Sequence, residues 1–281
     1  MQTYILQAVT PLHVGDGAAI GAVKLPLTRE RHTGWPVVPG SSIKGALRQR
    51  AGETLSELEA DAIVRAFGPK PDAEDAGAGR VRFGPAQLLA LPTRCLKGTF
   101  VLLTCPLALG RVARMVGGDD CPSALPSVPP GALAASPELE VGIDSKGLMD
   151  DSAVTGVVVL EEITLALRAD PLVAAWAAWL GRWTDDGASL ARLAVVHEDL
   201  FSHAVRYWTP ARTRTRIGTD GTVADGQLFS VETLPPETLL FGQVDPAGFA
   251  APLLPEDDEL WQLGGQRSVG CGRVVWHRRS A

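Results

Sequence analysis

The sequence predicts an α+β domain of ferredoxin-like layout, a βαββαβ order carrying insertions, and three observations lead there. The chain opens on a β-forming run, Thr3 to Thr10, which Pro11 stops. A long loop then leads into a helix whose apolar residues, Ile43 and Leu47, recur four apart. Beyond residue 100 strand-like and helix-like segments cease to alternate, which disfavours the doubly wound α/β alternative, because that layout needs a regular strand and helix rhythm. With 281 residues, 46% hydrophobic and 21% charged, the chain can bury one large core or two small ones, and we read residues 1–281 as a single domain.

Each element follows from local chemistry. Gly15, Gly17 and Gly21 punctuate residues 13–23, and Pro36, Pro39 and Gly40 close a long basic loop before Ser41 and Ser42 begin the helix. A second helix is expected from Leu55 to Phe67, then a loop over 68–80. Short strands are expected at 81–83 and 99–105, with a helix near 107–116. Residues 117–153 hold Pro122, Pro126, Pro129, Pro130 and Pro137 among small residues and acids, which suits an insertion more than core. An apolar strand at 156–167 leads into a helix at 171–183, where Trp176, Trp179 and Trp183 recur at three- and four-residue steps as a buried face requires. A last pair of strands is expected at 227–245 and 267–277.

Charge is segregated along the chain. More than half of the 26 lysines and arginines fall in residues 24–50, 206–217 and 267–279, where Glu30 is the sole acid, although the net charge is -6. Such patterning suits a local track for a polyanion on an acidic body; the plain alternative is a set of solvated faces. Cys95, Cys105, Cys121 and Cys271 show no CxxC spacing, and the five histidines neither pair at zinc spacing nor accompany a nucleophile elbow. Buried, reduced thiols and no metal centre are the expectation. No apolar run approaches the ~20 residues of a membrane span, and the first residues lack a signal-peptide pattern, so no membrane partner and a cytoplasmic location are expected.

Three segments could approach phosphate. Gly40-Ser41-Ser42-Ile43-Lys44-Gly45-Ala46-Leu47-Arg48 lacks the lysine and hydroxyl residue of a nucleotide-binding P-loop. It retains a helix N-terminus, two hydroxyls and two cations, a set that suits an internal phosphate of a strand or else an ordinary Ser-capped helix. The turn from Leu263 to Val275 combines Gly264, Gly265, Gly270 and Gly272 with Arg267, which fits close approach to a ligand or a tight β-turn. Arg212, Arg214 and Arg216 alternate with threonines and place their charges on one side of a strand ahead of Asp220-Gly221, a hairpin dipeptide. That ribbon reads as a basic projection or as an edge strand guarded by charge.

These segments, in this order, resemble the repeated backbone subunit of type III-B CRISPR effectors, the Cmr complex, within the RAMP superfamily. The resemblance rests on Thr10-Pro11-Leu12-His13-Val14-Gly15, on Arg29 to Pro36, on Pro39 to Gly45, on Arg94 to Phe100, on Arg214 to Ile217 with Asp225 to Phe229, and on the closing glycine-rich loop. It implies an RRM-like, ferredoxin-type palm with a β-hairpin thumb, stacked head to tail along the guide. The partners it implies are CRISPR RNA, a complementary single-stranded target RNA, further copies of the chain and the other subunits of the complex. By this resemblance RNA is held by His13, Arg31, Ser41, Ser42, Lys44, Arg48, Arg212, Arg214, Arg216, Gly265, Arg267 and Gly270, with the thumb near 205–235.

One departure stands out. In the family the loop after the first strand carries an aspartate, between a valine and Leu-Pro, that supports metal-dependent cutting of the target. Here the run is Val23-Lys24-Leu25-Pro26. A lysine, with an unperturbed pKa of ~10.4, is a cation that repels a metal and offers no free lone pair. Lys24 is therefore expected to grip phosphate without breaking it, so that binding needs no cofactor. Cleavage, with Mg2+ or Mn2+, would require another acid such as Asp16, whose plainer role is an Asp-Gly turn.

Overall fold

The computed structural model describes residues 1–15, 17, 23–54, 60–69, 77–117, 121–143, 154–184, 187–217, 223–248 and 250–278. In chain order, β1 (Gln2–Ala8) and β2 (Val37–Val38) precede α1 (Gly40–Thr54) and α2 (Ala60–Phe67). Next come β3 (Arg82–Phe83), β4 (Ala86–Cys95), β5 (Thr99–Thr104), α3 (Pro106–Val116), β6 (Ala132–Ala135), β7 (Val154–Leu160) and β8 (Ile163–Ala169). The remainder is α4 (Pro171–Leu180), α5 (Gly187–Leu190), β9 (Leu193–Val196), α6 (Glu198–Tyr207), β10 (Ala211–Ile217), β11 (Val223–Glu232), β12 (Leu239–Asp245), β13 (Glu259–Gln262) and β14 (Arg273–Arg278). The fold is thus mixed α and β, and among the described residues no helix is long and apolar enough to cross a membrane.

Strands β14, β1, β12 and β4 lie side by side, each antiparallel to its neighbours, and β13 extends this row beyond β14. The ten residues of β4 serve two rows, because 87–90 pair with β12 while 91–95 pair with β5. From β5 the sheet continues through β9, β6 and β8 to β7, and the Cys95–Leu160 bridge returns β7 to β4. Helix α1 lays Ile43, Leu47 and Ala51 against the core, at the spacing of one helical stripe. Gly40 makes that docking possible, since a Cβ there would lie 2.3 Å from the Phe83 carbonyl oxygen.

Helix α4 begins as its residues dictate. The Asp170 side chain accepts the Leu172 amide at 2.9 Å and Pro171 occupies the first turn. Its Trp176 and Trp179, with Trp183 just beyond it, are buried and in edge-to-face contact, so their periodicity is that of a core.

Several expectations need correction. The run 156–167 is a hairpin, not one strand, turning at Glu161 with a positive φ of 47°. The stretch 227–245 likewise divides into β11 and β12, and Arg267–Val269 forms a 3-10 turn ahead of β14. Strands β4 and β9 and helix α6 were not anticipated. Within 117–153, residues 118–120 and 144–153 lie outside the described residues. Ala132–Ala135 form a wholly buried strand between β8 and β9, and the Ala124 carbonyl accepts the Trp176 indole N–H at 2.9 Å. Prolines mark the approach to this strand, but its backbone bonds and apolar side chains make it core.

Leu133, fully buried in β6, provides the check. Leu133→Ala should cost about 2–5 kcal/mol, read as a lower denaturant midpoint with an unchanged slope, whereas a dispensable insertion would leave the midpoint in place.

Candidate nucleic-acid interface

Strands β10 and β11 pair with each other and stand apart from the main sheet. Their register sets Arg212 opposite Val231 and Arg214 opposite Phe229. The other edge of β11 is taken by the loop after β1: the Leu25 amide donates to the Ser230 carbonyl at 3.0 Å, and the Glu232 amide to the Leu25 carbonyl at 2.9 Å. Leu25, through an isolated bridge, and Arg212 of β10 therefore flank Val231 on opposite sides. Lys24 and Arg212 are exposed and Arg214 is half-buried. The pairing slips between Thr215 and Ile217, which interrupts the alternation expected to carry Arg216 onto the same face. The Arg216 side chain, and Asp16 as a whole, lie outside the described residues.

A buried carboxylate fastens the root of this ribbon. Glu232 Oε2 accepts the Leu27 amide at 2.9 Å, while Oε1 accepts the Thr209 hydroxyl at 2.9 Å and meets the Arg29 guanidinium. Arg29 also donates to the carbonyls of Gly34 at 2.8 Å and Val205 at 3.0 Å. Counted among the track of cations in the sequence, Arg29 is instead an internal tie between the 25–36 loop, β11 and the end of α6. Its neighbour Glu30 is held by Arg111 of α3, at 3.0 and 3.2 Å, and Arg111 in turn covers the Trp35 ring.

His13 belongs to the same knot. Its Nδ1 donates to the Glu232 carbonyl at 2.7 Å, and the ring is only 7% exposed, so its first role is to shape the loop. The glycine-rich turn presses on this residue, with the Gly265 amide donating to the His13 carbonyl at 2.8 Å. A Cβ at Gly264, where φ is 77°, would sit 2.3 Å from that same oxygen. The turn is thus a backbone-on-backbone contact, as its glycine content suggested, and Gly265, Arg267 and Gly270 remain exposed on it.

Helix α1 divides its residues between two flanks. Ser41 and Ser42 are its second and third residues, not its cap, and the Pro39 carbonyl accepts the Ser42 amide at 3.0 Å. Lys44 and Arg48 are half-buried on the flank facing the end of α2, where Arg48 donates to the Pro69 carbonyl at 2.8 Å. The glycine-rich turn lies across the other flank. There Gln49, Arg50 and Glu53 face Trp261, Gly264, Arg267 and Arg273 over a groove of about 440 Å³. Arg50 forks onto Glu259 at 2.7 and 2.5 Å, and Arg267 stands 3.8 Å from Glu53. The expected track therefore has at least two parts. Lys24, Arg31, Lys44, Arg206, Arg212, Arg214 and Arg273 carry no ion pair among the described residues, whereas Arg29 and Arg50 are spent on the fold.

These residues do not suit a divalent ion. Lys24 is a cation, and the Glu232 carboxylate is already engaged on both oxygens. The group Asp257, Asp258 and His277 lies elsewhere, at β13 and β14, with the imidazole nitrogens facing Asp258 Oδ1 at 2.5 Å and Gln7 Oε1 at 3.1 Å. Nor is there an activated thiol at Cys105, whose pKa burial pushes up to about 12. Native labelling with iodoacetamide at pH 8 should leave Cys105 unmodified and reach it only after denaturation, as mass spectrometry of the digest would reveal.

Comparison with known proteins places this geometry. The family model described as the RAMP superfamily matches residues 5–275. A curated relative, the CRISPR system Cmr endoribonuclease Cmr4 of Pyrococcus furiosus, is 30% identical over 295 aligned residues, spanning 98% of this chain and 95% of that protein. Among solved structures, oligomeric Cmr4 from Pyrococcus furiosus superposes with a TM-score of 0.74 at 24% identity and full coverage of both chains. A chain of the type III-B Cmr-beta complex bound to cognate target RNA gives 0.71 at 22% identity, covering 99% of this chain and 96% of that one.

Proposed function

The chain belongs to the RAMP superfamily, and from that premise we propose that it is the CRISPR RNA-binding backbone subunit of a type III-B effector complex. It stacks with further copies of itself, presents the guide, receives complementary single-stranded target RNA, contacts the other subunits of the complex and works in the cytoplasm. The palm is the row β14–β1–β12–β4, whose order and antiparallel pairing agree with a ferredoxin-type sheet. Where that layout expects its second helix, between β12 and β14, this chain has the 3-10 turn Ala251–Leu253 and β13. The thumb is the β10–β11 hairpin within about 205–235.

The observation that carries this reading is the ribbon on which Arg212 and Arg214 of β10, and Lys24 of the loop on the other side of β11, have no ion-pair partner among the described residues. Unpaired cations at strand spacing suit successive phosphates, since phosphate contacts position a nucleic acid without reading its sequence. Lys44, exposed Ser41 and neighbouring Ser42 supply a second contact on α1, and the Gly265–Gly270 turn with Arg267 a third. Arg31 and Arg48 extend these patches, Arg48 from its tie to Pro69, and Arg216 continues β10. His13 acts from behind, through the loop it shapes.

This subunit binds target without cutting it. A cation at position 24 stabilises phosphate charge and recruits no metal, and Mg2+ or Mn2+ matters only for a cleavage route through another acid such as Asp16. The assembled complex, given labelled complementary RNA and either metal, should yield no regularly spaced fragments. Lys24→Asp should introduce EDTA-sensitive cutting. EDTA-sensitive fragments from the unaltered protein, lost in Asp16→Ala, would establish the nuclease reading instead. Lys44→Glu with Arg48→Glu should also strip co-purifying RNA, and full retention of RNA would remove α1 from the interface.

A further inference from the structure

We propose that Glu232 is a positioning residue of the RNA interface, acting through Arg29, Thr209 and the Leu27 amide to hold the Lys24 loop and the hairpin root in one orientation. This rests on the RNA-binding reading above and deepens it. Three segments distant in sequence meet at one side chain: the loop after β1 through Leu27 and Arg29, the end of α6 through Thr209, and β11 itself. The backbone of the same residue completes the set, its amide bonded to Leu25 and its carbonyl to His13.

Sequence distance makes such a tie necessary. Lys24 and Arg212 are separated by most of the chain, and β10 and β11 gain no alignment from the main sheet, which they do not join. Among the described residues, short contacts at the hairpin root fix its pitch relative to the Lys24 loop. Of these, the Glu232 side chain is the one that reaches the loop, the helix end and the guanidinium together. Lys24, next to Leu25, and Arg212, across Val231 from it, keep a fixed spacing for a phosphate strand only while that root is held. Glu232 touches no RNA in this scheme, because it is 8% exposed and fully engaged.

A double-mutant cycle on the full-length protein tests this, with a fluorescein-labelled single-stranded RNA of mixed sequence titrated across a series of salt concentrations. Lys24→Ala with Arg212→Ala and Arg214→Ala should flatten the slope of log K against log salt by about two, from three phosphate contacts at ~0.7 each. Glu232→Gln should weaken binding about tenfold and flatten the slope in the same direction. In the background lacking the three cations, Glu232→Gln should then have almost no further effect, because its action passes through them.

Equal losses from Glu232→Gln in both backgrounds would overturn the positioning role and leave a general structural one. No loss from Glu232→Gln in the unaltered background would overturn it too. If instead the three-cation variant binds as the unaltered protein does, the ribbon itself is not the RNA contact, and the underlying reading fails. Should Glu232→Gln fold poorly, Thr209→Val removes one bond of the node, and hydrogen exchange supplies the second measurement. Faster exchange confined to the amides of Leu25 and Glu232 and to β10 supports the role; uniform acceleration across the main sheet opposes it.

Discussion

A carboxylate cannot be taken out of water cheaply, and the arrangement around Glu232 is what that cost requires. Removing a charge from solvent costs several kcal/mol per ion unless partners replace the lost hydration. Here the replacement is a guanidinium, a backbone amide and a hydroxyl, drawn from three parts of the chain. The side chains of Arg29 and Glu232 are 23% and 10% exposed, so the pair keeps some contact with water and much of its mutual attraction. Each partner is needed by the others. Thus the loop carrying Lys24, the knot at His13 and the root of the β10–β11 hairpin have one common point of attachment.

That arrangement also explains why counting cations overstates the surface available to RNA. A guanidinium serves equally well as a fork onto a carboxylate and as a clamp on phosphate, and the sequence does not say which use it has. Arg50 forks onto Glu259 and one nitrogen of Arg29 meets Glu232, each from within a segment that looks continuously basic. The acids that neutralise them lie far away in sequence. What remains without an ion pair among the described residues, Lys24, Arg31, Lys44, Arg206, Arg212, Arg214 and Arg273, is a smaller and more discontinuous set. Because these groups have no ion-pair partner among the described residues, contact with a phosphate breaks none of the ion pairs seen there.

Much of the fold was legible because it rests on local period and punctuation. The apolar stripe of α1, the tryptophan steps of α4, the Pro11 stop after β1 and the glycine-rich turn all declared themselves within a few residues. What was hidden depends on partners far away. Strand β4 has Pro92 in its interior and is rich in leucine, so it lacks the β-branched signal, and only its place between β12, β5 and β7 makes it a strand. The buried run Ala132–Ala135 is too short and too poor in bulk to announce a strand among prolines. Glu161-Glu162 carries no glycine, asparagine or proline, so the β7–β8 turn was read through as strand. For the site, alternation found Arg212 and Arg214, and the resemblance found Lys24. The role of Glu232 had no local signal, because an acid at the end of a strand is unremarked until Arg29 and Thr209 are brought beside it.

The sequence left two readings of the basic ribbon, an edge guarded against aggregation and a contact for a polyanion, and the topology shows that they describe different demands on the same residues. Strand β11 has both edges occupied at its root, by β10 and by Leu25, whereas among the described residues β10 pairs on one side alone. An open edge needs charge of either sign, and almost any placement along it suffices. The observed charges are more constrained than that. They are all positive, they recur at the two-residue step that keeps them on one face, and a further cation stands across β11 on a loop contributed from the far end of the chain. Aggregation control explains the presence of charge on β10; it gives no reason for the loop that carries Lys24 to be fastened beside it through the Arg29–Glu232 pair.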